Sequence, residues 1–99
     1  MEVESPSYAV IEQKEYLHEA TAGLLAAIHR LLDEIHVDPA KEPEHPAAQL
    51  HEDAVTLFNS ILGSERRTAA DMLDATKTYT NLYKRTVRLG ERHHVEVIF

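Results

Sequence analysis

The chain predicts an all-α protein built on a long antiparallel helical hairpin. Three observations lead there. Apolar residues return at seven-residue intervals, as in Val10, Leu17, Leu24 and Leu31, the signature of one helix face rather than of a strand. The stretch "VDPAKEPEHP" holds three prolines in eight residues, at 39, 43 and 46, and cannot continue a helix. From residue 47 to residue 89 the helical phase resumes, with apolar positions at spacings of three and four.

The first helix is expected over residues 7–36. Ser5, Pro6 and Ser7 supply start signals, a serine cap and a proline in the first turn. Lys14, Thr21, Ile28 and Ile35 form a companion row, flanked by Ile11, Leu25 and Leu32. The stripe is wider than a two-stranded coiled-coil seam and suits a bundle. Gly23, mid-helix, costs about 1 kcal/mol relative to alanine, which a close helix–helix approach would explain.

A proline-rich loop follows over 37–46, with Pro46 placed to open the second helix. That helix is expected over 47–90. "ILGSERR" offers a turn at Gly63-Ser64, where the chain would form a three-helix bundle instead. The register through Ala54, Phe58, Ile61, Glu65, Thr68, Met72, Ala75, Tyr79, Leu82, Thr86 and Leu89 favours one continuous helix, about 65 Å long. An uneven hairpin leaves wide stripes uncovered, and a second copy would complete a four-helix bundle. The tail "VEVIF", within 94–99, alternates like a short strand or an extended segment packing on the bundle; "MEVES" is its one candidate partner strand.

Composition bounds function. Ninety-nine residues make a single domain, 1–99. With no cysteine there is neither disulfide nor thiolate chemistry, which fits a reducing, cytoplasmic setting. No apolar run reaches membrane-spanning length. The net charge of −7 is uneven: residues 1–53 carry twelve Asp/Glu against three Lys/Arg, residues 54–99 five against seven. An acidic first half and a mildly basic second half attract each other, within a chain or between copies, and the acidic total argues against nucleic acid. No glycine-rich phosphate loop or nucleophile elbow is present, so the enzyme reading is disfavoured and no catalytic residue is assigned.

Seven histidines are many for this length. In "HRLLDEIH", His29, Asp33 and His36 stand at i, i+4 and i+7, and on one helix they share a stripe. Imidazole and carboxylate so placed suit Zn, Mn or Fe. The plainer reading is a wet helix flank, with His36 favoured near the C-terminal dipole. "EYLH" places Glu15 and His18 at the Glu-x-x-His spacing and resembles ferritin-like di-iron proteins, including short forms that dimerise into a four-helix site. That family pairs such a motif with a second on another helix. Here the second helix offers His51, Glu52 and Asp53 without it, so no di-iron set follows.

Arg88 and His93, in "RLGERHH", resemble the Arg-x4-His motif of HEPN ribonucleases, which implies action on RNA phosphate; the plainer reading is a cationic helix end. Lys77, Lys84, Arg88 and Arg92 line one side of the last turns, opposite in sign to the first helix. Length, hairpin shape and "TAADMLDATKTY" are similar to WXG100-type helical hairpins, but no Trp-x-Gly turn is present.

The function expected is a small acidic protein–protein interaction or assembly module, an adaptor, subunit or regulator. Its partner would be a second copy, as a homodimer or higher even oligomer, or another protein. The packing surface would be Leu24, Ile28, Leu31, Phe58, Ile61, Met72, Tyr79 and Leu82. The alternative is a His/carboxylate metal-binding bundle; a HEPN-like ribonuclease is more distant.

Overall fold

A computed structural model describes residues 8–61, 63 and 68–99. They form three α-helices: α1 Tyr8–Glu34, α2 Pro46–Ile61 and α3 Ala69–Arg92. The all-α expectation holds. The continuous second helix does not: α2 stops at Ile61, and α3 opens at Thr68. Thr68 is an N-cap in extended backbone, and its hydroxyl accepts from the Asp71 amide while Asp71 accepts from the Thr68 amide. This reciprocal capping box satisfies two amides that a helix start leaves open. The unbroken register misled because the intervening segment, 62–68, is seven residues long. Seven residues preserve helical phase whether or not they are helical. Ser5, Pro6, Ser7, "MEVES", Ser64 and Glu65 lie outside the described residues.

Contacts set the topology. His29 meets His51, His18 stacks on Phe58 at 4.2 Å between centroids, and Lys14 reaches Gly63, so α1 and α2 run antiparallel. Arg92 shares a groove with Pro46 and Lys77 one with Ser60, and Arg85 binds Asp53 at 2.9 Å, so α3 runs antiparallel to α2 and parallel to α1. Both side chains of that pair are well exposed, so it contributes about 0–1 kcal/mol. The core lies along the axis between the three helices. Leu24, Ile28 and Leu31 of α1 meet Leu50, Ala54 and Ile61 of α2 and Met72, Ala75 and Leu82 of α3, all buried. Each such leucine, isoleucine or methionine contributes about 1.5–3 kcal/mol by leaving water. Thr21 and Thr86 are buried among them, and each hydroxyl donates to the carbonyl four residues back at 2.7 Å. Lys14, in an otherwise apolar row, lies half-buried and reaches the Gly63 carbonyl at 3.5 Å. Its cation thus stands at the negative end of α2.

Histidines govern the helix ends. α1 ends at Glu34, two residues before the expected His36, because His36 turns left-handed at φ 59°. Its amide bonds Asp33 O and the Val37 amide bonds Leu32 O. These are the two hydrogen bonds of a Schellman motif. α3 ends the same way: His94 has φ 59°, its amide bonds Glu91 O, and the Val95 amide bonds Gly90 O at 2.8 Å. Val37 and Val95, the residues just after each turn, pack on the core. Between α1 and α2, Asp38 folds "DPAKE" by accepting from the amides of Ala40, Lys41 and Glu42. His45 then caps α2, its Nδ1 accepting from the Ala47 amide at 3.0 Å, and Pro46 takes the first helical position as expected.

Two glycines depart from expectation. Gly23 is exposed, and a methyl group there would meet nothing within 4 Å, so no approach inside this chain explains it. α3 runs through Gly90, the expected end of the helix, to Arg92. The tail folds back over it: a methyl at Gly90 would overlap the Val97 side chain and come within 2.8 Å of Val95 O. No strand occurs among the described residues. The tail, 95–99, has no regular secondary structure and lies on the bundle, with Phe99 stacked on Tyr83 at 4.4 Å between centroids.

Candidate functional site: the α1/α3 groove

The residues expected to meet a partner mostly meet each other. Leu24, Ile28, Leu31, Ile61, Met72 and Leu82 are buried within the single chain. Phe58 is half-buried against His18, and only Tyr79 stands at a boundary. A third helix consumes the stripes that a two-helix hairpin would leave open.

The metal stripe is also dispersed. Asp33 is exposed on α1, and His36 has left the helix. His29 turns toward α2 instead, where its Nε2 lies 2.8 Å from Nε2 of His51. Among the described residues no group of three or more His, Asp or Glu side chains is placed to hold a metal ion. Burial and then the neighbouring His29 hold His51 below the ordinary imidazole range. Of the Arg88/His93 pair, Arg88 is exposed on α3 and His93 follows the helix end, its ring centroid 6.2 Å from that of His45.

What remains open is the side where α1 and α3 run parallel. A groove of about 950 Å³ lies there. Glu12, Tyr16 and Leu17 line it from α1; Met72, Leu73 and Tyr79 line it from α3. α1 turns Glu12 and Tyr16 outward here because Leu24 and Leu31 turn into the core, and buried Leu17 forms the floor between. On the two lips, Tyr16 is 78% exposed and Leu73 is 58% exposed. Tyr79 lies between them, its hydroxyl held above the usual range by burial first, then by Tyr83 and Tyr16. Tyr83 and Phe99 extend this aromatic line toward the tail. Tyrosines so placed offer rigid area and a polar tip at little entropic cost, a composition enriched at protein interfaces.

Charge flanks the lips unequally. Glu12 and Glu19 are exposed on α1; on α3, Lys84 is exposed and Lys77, also exposed, borders the side facing α2. Gly23 falls seven residues after Tyr16, on the same outer stripe. The aromatic line was hidden from sequence reasoning because Tyr16 and Tyr79 come from distant helices. A single helix wheel shows Tyr16 only as an isolated exposed residue.

No family model, curated protein or solved structure matches this chain. Its chemistry is read from its own residues. Among the described residues, no helix is long and apolar enough to cross a membrane.

Proposed function

We propose that the protein is a small helical interaction module that self-associates through the α1/α3 groove. The observation that carries this reading is the exposed pair Tyr16 and Leu73 on either lip of a mostly apolar cleft. The occupant we infer is a second copy, on grounds of charge. A two-fold axis running along the bundle sets α1 of one copy beside α3 of the other, with Glu12 and Glu19 facing Lys77 and Lys84. An axis across the bundle would oppose α1 to α1 and repel. Gly23 then has a role: without a side chain, it lets the neighbouring helix come close. The contact layer holds α1 and α3 from each copy, four helices in all.

Sedimentation of the full chain tests this. The wild type should show a monomer–dimer equilibrium at micromolar concentration, and Leu73→Glu should sediment as a monomer with an unchanged melting temperature, since Leu73 is not in the core. A wild type that stays monomeric at hundreds of micromolar, or a Leu73→Glu variant that still dimerises, overturns the proposal.

A further inference from the structure

We propose that His29 and His51 form a two-helix clip for a divalent transition-metal ion that favours right-angle coordination, Ni²⁺ or Cu²⁺. The two Nε2 atoms face each other at 2.8 Å, with ring centroids 4.8 Å apart and planes inclined by 39°. In the metal-free protein this distance accommodates one N–H···N hydrogen bond, for which one ring donates its proton and the other accepts. A cation that displaces this proton to solvent sits off the line between the two nitrogens and takes one lone pair from each ring as the rings tilt toward it. At a metal–nitrogen distance of about 2.0 Å, a separation of 2.8 Å subtends about 90° at the ion. That is the angle between neighbouring ligands in tetragonal or octahedral coordination. A tetrahedral zinc ion would need its nitrogens about 3.3 Å apart.

The two ligands come from different helices, and the core holds both in place. Ile28 and Leu31 beside His29 are buried, as are Leu50 and Ala54 around His51. His29 faces solvent, so water completes the coordination. The clip differs from the His29, Asp33, His36 stripe in spanning α1 and α2, and it stands apart from the α1/α3 groove.

Calorimetric titration of untagged full-length protein with NiCl2, in a non-chelating buffer at pH 7.5, tests the clip. One ion per chain is expected, with a rise of several degrees in melting temperature at saturation. His29→Ala, an exposed substitution that leaves the core intact, should weaken binding at least tenfold; His51→Ala should do the same. His36→Ala should leave affinity unchanged, and ZnCl2 should bind more weakly than NiCl2. The proposal is overturned if the wild type shows neither heat nor melting shift at a hundredfold excess of nickel. Binding that survives His29→Ala overturns it equally, because it assigns the ion to other histidines.

Discussion

Histidine takes opposite roles at the helix ends of this protein, and the sign of a substitution follows from each. At His36 and His94 the backbone is left-handed, with φ of 59° at both. A side chain there costs about 1–2 kcal/mol for an ordinary residue, and the position is one that helix ends commonly give to glycine. His36→Gly and His94→Gly should therefore each stabilise the fold, by about 0.5–1 kcal/mol after the added freedom of the unfolded chain is counted. His45 is the reverse case, since its ring nitrogen accepts the Ala47 amide. His45→Ala should destabilise by about 0.5–2 kcal/mol, as the loss of an N-cap does. Urea titrations check all three: midpoints should move up, up and down, with the slopes unchanged. None of these roles was legible in the sequence. Whether a histidine turns, caps or pairs depends on where its helix stops, and "HRLLDEIH" reads as helix throughout. The seven-residue spacing of Val10, Leu17, Leu24 and Leu31 was legible, because burial of one face imposes it on the sequence directly.

At the scale of elements, the tail and α3 form one unit. Gly90 is the contact: a methyl there has no room beneath Val97 and Val95 O. Gly90→Ala should lift the tail, break the Tyr83–Phe99 stack and free the Val95 amide from Gly90 O. Overpacking of this kind costs about 1–3 kcal/mol. Amide exchange at Val95 should accelerate while the exchange of core amides in α1 remains slow. Deleting residues 95–99 should remove the penalty, because alanine is the better helix former once nothing lies above it. Equal penalties in the full-length and shortened chains would show that Gly90 and the tail are uncoupled. Alternation in "VEVIF" predicts a strand-like or extended segment but names no packing partner, since a tail shows its own pattern and not the surface it covers. The break between α2 and α3 escaped the register for a similar reason. Phase reports which side of a segment is apolar, not whether the chain between two segments is helical.

For the whole molecule, the imbalance between an acidic α1 and a basic α3 becomes a property of two copies. Within one chain these helices lie side by side and parallel, with Glu12 at the edge of the groove they share. The proposed two-fold axis repeats each cross-contact, acidic lip on basic lip. Reversing one lip therefore introduces two repulsions per dimer. A variant with Lys77→Glu and Lys84→Glu presents acid on both lips; one with Glu12→Lys and Glu19→Lys presents base on both. Each should be monomeric alone at concentrations where the wild type dimerises. Mixed in equal amounts they should form a one-to-one dimer, because every acidic lip again meets a basic one. All four positions are exposed, so the melting temperature of each monomer should move little. Sedimentation of the two variants, apart and together, reads the result, and added salt should weaken the mixed dimer as it screens the pairing. If the mixture stays monomeric, or if either variant dimerises alone as the wild type does, the charged lips do not set the contact and the two-fold arrangement drawn from them is wrong.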